Sequence, residues 1–487
     1  MIQATNELIL GIDLNPGYTQ VTYFHQSVKE PMTLGVDESA QMLPTGLCRD
    51  ENGVWLLWDA SGAAEEELSL MSKKQAEAGD GRKPAIWVEA GDSREPVIWA
   101  EAEEGRESEI QAETGDSREP AMPTETAADD RETTAYPQFA HVWETVMQGK
   151  PVDNGEAVLP PEELLAIYLK LCLADLSLLT SNTKLHVMVT VKTLTEPQNQ
   201  VIVDALLRLG VERKRIYVQD YLSAFYYYVV NQKKELWMQD VALITYEEGD
   251  MVGYVLHIDR STKPAIARAT EIARQPVTEE VRANRSEADW RREKDRLFFE
   301  LLKKVFERRT ISVSYLFGDY FDKSWAVRSI QFLCSGRRAY QGMNLYSKGA
   351  CYAAMERAGL LDGREILFGG GDMIERNLGM EMSIRGKESY YPLVNAGVNW
   401  YEAHHVCEFI LHGEREIRLI SRPMTPGEPV IHSMRLPGLP KRPDRATRLR
   451  MTVYFTSAAC CHIDIEDLGF GGLYKPSPMT WSWDIRF

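Results

Sequence analysis

Two textures of apolar patterning divide this chain. Up to residue 362 short apolar runs alternate with stretches of helical spacing; from Glu365 onward the period is two, broken repeatedly by Gly and Pro. Residues 8–14 (LILGIDL) form an apolar run that stops at the turn Asn15-Pro16-Gly17, and residues 21–24 alternate, which predicts a β-hairpin. Pro160, Pro161, Glu162 and Glu163 predict a helix start, because proline suits the first turn and carboxylates suit its positive end. Leu165, Leu169, Cys172, Leu176 and Leu179 then recur at helical spacing. Residues 185–191 (LHVMVTV) predict a buried strand, 196–209 a helix, 215–218 a strand, 222–230 a helix, 241–245 a strand and 279–309 a charged helix. Such alternation predicts an α/β layered architecture. In residues 448–456, Leu449, Met451, Val453 and Phe455 share one face, and strands of that kind predict a β-sandwich.

One segment fits neither texture. Residues 79–90, 91–102, 103–114 and 115–126 are four copies of a 12-residue unit, with Arg82, Arg94, Arg106 and Arg118 marking the register. Each unit holds between one and three apolar residues larger than alanine, too few to offset its ordering entropy, so a disordered insert over residues 64–136 is expected. The structured rival, a β-solenoid coil, is disfavoured by the recurrent Pro, which removes ladder donors.

Composition adds compartment and partner class. At 487 residues and 44% hydrophobic, the chain can fill at least two cores. Its net charge is −17, of which the insert supplies −12 through 20 Asp or Glu against 8 Lys or Arg. A broad electrostatic grip on nucleic acid or anionic membrane is therefore not expected, although a local basic patch is compatible with the sequence. The N-terminal stretch has no basic segment followed by a signal-length apolar run, and the 7 cysteines are scattered, so a cytoplasmic protein with reduced thiols is expected.

Three segments, in order, resemble the ATPase domain of the DnaK-type 70-kDa heat-shock chaperones, within the wider actin and sugar-kinase superfamily. Residues 11–17 (GIDLNPG) are similar to the family's first phosphate loop, GIDLGTT; residues 187–200 (VMVTVKTLTEPQNQ) and 219–226 (QDYLSAFY) resemble VITVPAYFNDAQR and NEPTAAAL; residues 313–354 resemble the adenosine-motif strand and the closing PDEAVAYGAA helix. Residues 365–368 and 372–382 are similar to the interdomain linker and the first strand of the chaperone's peptide-binding sandwich, and residues 411–415, 436–440 and 449–467 follow its later segments. The resemblance implies a two-lobed, reduced actin-like ATPase fold over residues 1–362, a linker over 363–371 and a sandwich over 372–487. The family's helical lid is expected to be missing, since the sequence runs out at residues 481–487 (WSWDIRF).

The same resemblance implies a nucleotide cleft and also its decay. Asp13, Asn15 and Gly17 stand in the first phosphate loop, where Pro16 deletes an amide donor. Asp13 reads either as an orienter of metal-bound water or as a turn cap. The family's DLGGGT aligns with Thr245-Tyr-Glu-Glu-Gly-Asp250, so Thr245 replaces an Asp, while Glu247, Glu248 and Asp250 flank Gly249 and set negative charge where phosphates would sit. Gly318 and Asp319 stand for the adenosine motif, and Asp220 aligns with a cleft Glu while also reading as a helix N-cap. No cofactor is expected, with ATP and magnesium as the alternative. In the sandwich, Met380, Met382, Ile384, Tyr390 and Tyr391 are candidate contacts for an extended peptide, or else core. His404, His405, Cys407, Cys460, Cys461 and His462 carry metal-binding chemistries without CxxC or HExxH spacing, so a metal site is not expected. The resulting expectation is a chaperone-like pseudo-ATPase that binds or scaffolds another polypeptide. A divergent ATP-hydrolysing chaperone and an actin-like assembly protein are the alternatives.

Overall fold

The computed structural model describes residues 7–25, 27–35, 41–49, 53–58, 139–154, 157–176, 184–247, 249–277, 282, 285–318, 321, 324–342, 344–361, 365–413, 415–424 and 426–487. The repeat insert expected at residues 64–136, Glu248 and Asp319 lie outside these described residues.

The first sheet grows from the predicted hairpin. Strands β1 (Glu7–Leu14), β2 (Thr19–His25) and β3 (Met32–Thr33) pair antiparallel. Small hairpins β4 (Gly46–Arg49) with β5 (Trp55–Trp58) and β6 (Val152–Asp153) with β7 (Val158–Leu159), and helices α1 (Val142–Met147) and α2 (Pro161–Cys172), lead to β8 (Lys184–Val191). Helix α3 (Glu196–Arg208) then returns the chain to β9 (Ile216–Asp220), and β1, β8 and β9 run parallel in the order β3-β2-β1-β8-β9. Leu8, Leu10, Ile12 and Leu14 pack with Leu164, Leu165, Leu169, Ile202 and Leu206 of α2 and α3 on one side of the sheet. The opposite side of β1 carries Ile9, Gly11 and Asp13.

After α4 (Tyr221–Val230), the second sheet repeats this plan. Strands β10 (Asp240–Glu247), β11 (Asp250–Asp259) and β12 (Ala265–Pro276) form the antiparallel three, and α5 (Glu287–Phe306), β13 (Ile311–Phe317), α6 (Val327–Cys334) and β14 (Arg338–Gln341) complete the parallel side. The order is β14-β13-β10-β11-β12. Helix α7 (Leu345–Arg357) follows, and β15 (Ile366–Phe368) adds in parallel to the β12 edge. Two helices join the two sheets at backbone contact: a Cβ on Gly11 would strike the main chain of Ser347 and Cys351, and one on Gly349 would strike the Ala224 carbonyl. Glycine at these two places is what lets β1, α7 and α4 close together.

The remaining strands are β16 (Arg376–Ile384), β17 (Lys387–Val394), β18 (His404–Ile410), β19 (Glu416–Pro423), β20 (Val430–Arg435), β21 (Arg448–Ser457), β22 (Cys460–Gly469) and β23 (Thr480–Arg486). They make two antiparallel four-stranded sheets, β17-β16-β19-β20 and β18-β21-β22-β23. Leu378, Met380, Leu419 and Met434 of one sheet share a core with Leu449, Met451, Val453, Ile463 and Ile465 of the other.

Several predicted elements differ in extent or kind. The 160s helix stops at Cys172, followed by a short 3-10 turn at Ala174–Leu176, and Leu179 lies outside the described residues. Helix α5 begins only at Glu287, where the Ser286 hydroxyl accepts from the Asp289 amide, and it ends before Arg308, whose φ is 57°. The expected linker is a paired strand in its middle, β15, flanked by Gly369, Gly370 and Gly371. Among the described residues no helix is long and apolar enough to cross a membrane.

Candidate functional site

The clearest unmet chemistry lies between the first two sheets, on the inward face of the first. Register places Gln20 opposite Asp13 across β2, Thr190 beside it on β8, and Gln219 next on β9. All four are buried. The Gln219 amide donates to the Thr190 hydroxyl at 3.1 Å, but both carboxylate oxygens of Asp13 and both amide atoms of Gln20 have no partner at hydrogen-bonding geometry. Burial pushes the Asp13 carboxyl up to about 8, with the Glu247 charge adding to it, while the Tyr221 and Tyr18 hydroxyls hold it down only in part. Asp13 is therefore predominantly a neutral acid at pH 7.

The first loop has little backbone to offer an anion. The Asn15 amide donates to the Tyr18 carbonyl at 3.1 Å, the Gly17 amide to the Asn15 side chain at 2.9 Å, and Pro16 has none. The Asn15 side-chain amide donates to the Tyr221 hydroxyl at 3.0 Å. In the second sheet, pairing runs unbroken to Glu247 opposite Asp250, so only two residues connect the paired strands, and Gly249 lies there at φ 81°. A phosphate-cradling loop needs several convergent amides, and a two-residue turn spends its length on reversing the chain.

The negative charge expected here is answered inside the protein. Arg274 donates to Asp250 at 2.8 Å, and Lys192 of the first lobe lies 3.7 Å from Glu247 of the second. Thr245 is flanked in register by Val252 and Phe317, an apolar row facing the polar one. Phe317 meets the Tyr346 ring at 4.3 Å, and Tyr346 stacks on Tyr221 at 3.9 Å with 14° between planes. These three rings come from β13, α7 and α4 and fill the space beside Asp13. Asp220 caps α4, its carboxylate accepting from the Ser223 amide at 2.7 Å. Gly318, at φ 113°, abuts the Tyr246 carbonyl and serves a close backbone approach.

A nucleoside triphosphate with magnesium does not fit these residues: the loop amides are spent, the second hairpin is too tight, and rings fill the interior. The negative charge of Glu247 and Asp250 is compensated by Lys192 and Arg274. Sequence reading missed Gln20, Lys192, Arg274, Tyr221, Phe317 and Tyr346. The tyrosine-rich run at 226–228 was the one local hint of an aromatic interior.

A cavity of about 180 Å³ opens where α4, α7, β15 and the two-sheet unit meet, lined in part by Gln219, Tyr227, Arg357, Leu367, Asn399 and Tyr401. Arg357 pairs there with Glu402 at 2.9 Å.

The candidate peptide contacts separate. Met380 is 3% exposed and belongs to the shared core; Met382 and Tyr391 pack against that core, with the Tyr391 hydroxyl 3.3 Å from His405 Nε2. Ile384 is exposed at the end of the β16–β17 hairpin, and the Tyr390 ring lies under the Arg422 guanidinium at 4.6 Å. Strand β21 separates His404 and His462, which both oppose Tyr454. His462 lies between Asp484 at 2.6 Å and Asp464 at 3.2 Å, and among the described residues no three His, Cys, Asp or Glu side chains gather as a metal site.

Comparison with known proteins places the first of these units in a family. Residues 124–370 match the Family of unknown function (DUF5716) C-terminal, just over half of the chain, and the chain belongs to that family. Residues 373–487 match a second family, the Domain of unknown function (DUF8552), and the two matches meet at the glycine run before Asp372. No curated protein matches the chain.

Proposed function

We infer that this is a chaperone-like pseudo-ATPase, a polypeptide-binding or scaffolding protein of reduced actin-like ATPase architecture whose two lobes no longer cycle nucleotide. The observation carrying this reading is the interlobe cleft. Its two sheets repeat one plan around a central pair of helices, as a two-lobed ATPase would, yet Tyr221, Tyr346 and Phe317 fill the interior beside a neutral Asp13. The paired sheets over residues 376–486 supply the binding half as a β-sandwich, with Ile384, Tyr390 and Tyr391 toward one end. The partner is another protein or an extended peptide rather than nucleic acid or membrane, and the setting is cytoplasmic. Binding of this kind is static, governed by affinity alone.

A divergent ATPase is the second reading, favoured by one observation: Lys192 and Arg274 already sit on the acidic hairpin. Thermal unfolding of the full chain with and without millimolar Mg-ATP separates the two, because a ligand bound only by the native state raises its midpoint. The pseudo-ATPase reading expects no shift and no phosphate release. Turnover that disappears in Asp13→Ala overturns it. Sedimentation over a range of concentrations tests the actin-like assembly alternative, which requires growth into large species.

A further inference from the structure

The charge of this molecule is unevenly placed, and the cations are partnered unevenly. Along the first half of α5, Arg291, Arg292 and Arg296 each hold a carboxylate within their own helix, at 3.1, 2.6 and 2.7 Å. Toward its C-terminal end this stops. Among the described residues Lys303, Lys304, Arg308, Arg328, Arg337 and Arg338 have no ionic partner. The nearby acids are committed elsewhere: Asp295 accepts from the Arg328 and Ser329 amides and the Ser329 hydroxyl, and Glu300 pairs with Arg296. Among the described residues Glu307 is the one exposed carboxylate in that stretch without a cation.

Three of these cations lie on aromatic rings. Arg328 lies 3.8 Å and Lys303 4.8 Å from the Phe299 ring, and Arg337 is held between Phe306 at 4.6 Å and Phe332 at 4.8 Å. The three rings meet edge to face, Phe332 lying 5.5 Å from Phe299 and 5.2 Å from Phe306, and each is only half-buried. Arg337 Nη1 is buried without an acceptor. Stacking fixes a guanidinium while leaving its donors unspent, so the outlay of ordering these side chains is met before any partner arrives.

We propose that this aromatic and basic surface, formed by the C-terminal half of α5 with α6, docks an acidic segment of another protein in which carboxylates are interspersed with apolar side chains. Charge complementarity names the carboxylates: a cluster of unpaired cations on a chain of net charge −17 is a local exception that an acidic peptide would answer. The half-buried Phe299, Phe306 and Phe332 name the apolar part, which a bare polyanion would leave exposed. A long nucleic acid or an anionic bilayer would in addition feel the repulsion of the whole molecule, whereas a short acidic segment feels chiefly the patch. The site is separate from the sandwich and from the interlobe cleft, so it stands or falls independently of the function proposed above.

The test is fluorescence polarisation of the full chain with a labelled twelve-residue peptide of repeating Glu-Glu-Phe, against a fluorescent oligo-dT of equal length and vesicles containing phosphatidylserine. Saturable peptide binding is expected, weakened at least threefold between about 50 and about 300 mM salt. A tenfold loss is expected in Arg328→Glu/Arg337→Glu. Because Arg337 is wedged between rings and its reversal could disturb the fold, the exposed pair Lys303→Glu/Arg338→Glu is the second variant, checked for an unchanged melting midpoint and expected to lose at least threefold. No saturable binding, binding untouched by Lys303→Glu/Arg338→Glu, or tighter binding to the oligonucleotide or the vesicles would each overturn the proposal.

Discussion

Replacing Asp13 by Asn should make the lobes more stable, and increasingly so as the pH rises. The wild-type carboxyl is fully buried with no partner at hydrogen-bonding geometry, and burial, which the nearby Tyr221 and Tyr18 hydroxyls offset only in part, raises it from 3.8 to about 8 on folding. A group raised in this way keeps its proton in the native state but gives it up when unfolded, so the native state costs nothing extra below 3.8, loses stability steadily above it, and levels off beyond about 8. Each pH unit in that window is worth about 1.4 kcal/mol, so the burden at pH 7 is roughly 4 kcal/mol, and at pH 5 roughly 1.5 kcal/mol. Asparagine has the same shape and no titration, and its amide faces the equally unpartnered Gln20 across the β1–β2 pair. Because a chain of several units does not unfold in one step, the comparison is best read from hydrogen exchange of peptides covering residues 7–25, corrected for intrinsic rate, at pH 5 to 8. Protection of Asp13→Asn relative to wild type should grow with pH. The infrared band of a protonated buried carboxyl, present in wild type at pH 7, should be absent in the variant. A stability difference that stays flat from pH 5 to 8 would mean Asp13 ionises normally, with a cation or donor at hand, and would remove the neutral acid from the cleft.

Two further outcomes follow from packing and charge. Gly349→Val should destabilise by roughly 3 kcal/mol or more, because the side chain enters the Ala224 carbonyl and forces α4 away from α7; a thermal midpoint within a degree of wild type would contradict that contact. In the two-sheet unit, Arg442 pairs with Asp467 at 2.7 Å, both side chains almost wholly buried, and Asp467 also accepts from the Ser477 hydroxyl at 2.6 Å and the Gly469 amide at 2.9 Å. Arg442→Ala strands a buried carboxylate and should cost roughly 3–5 kcal/mol at neutral pH. The guanidinium and the Ser477 and Gly469 donors outweigh the burial of Asp467 and hold it well below the usual carboxylate range, so its contribution is complete above 3.8 and fades only in strong acid. Urea unfolding at pH 7 and below pH 3 should show the loss from Arg442→Ala shrinking as the acid range is entered.

Elements with a strong local signal were legible from the sequence. Residues 8–14 and 21–24 lie within β1 and β2, Pro160 and Pro161 mark the start of α2, and the helix read at 196–209 is α3 to within one residue. Strand β12 was invisible because its residues 265–276 (AIARATEIARQP) mix Ala, Arg and Glu, and neighbouring strands rather than a buried face hold it in place. The linker strand β15 is three residues long, and its pairing with β12 depends on chain folded 100 residues earlier. The interior of the cleft was hidden for the same reason. Asp13 was legible as a candidate, but the rings beside it come from residues 221, 317 and 346, and Lys192 reaches Glu247 from the other lobe. Nothing local in the sequence joins those positions. The resemblance made Met380 a candidate peptide contact or else core, and packing against the second sheet places it in the core.

A polypeptide binder without a nucleotide cycle is put to the test by measuring the affinity of the full chain for a library of extended peptides with and without Mg-ATP. A subset of peptides should bind, compete with one another, weaken on Ile384→Asp, and show the same dissociation constant whether or not Mg-ATP is present. A peptide affinity that shifts with Mg-ATP, or a folded chain that binds no peptide in the library, would contradict it.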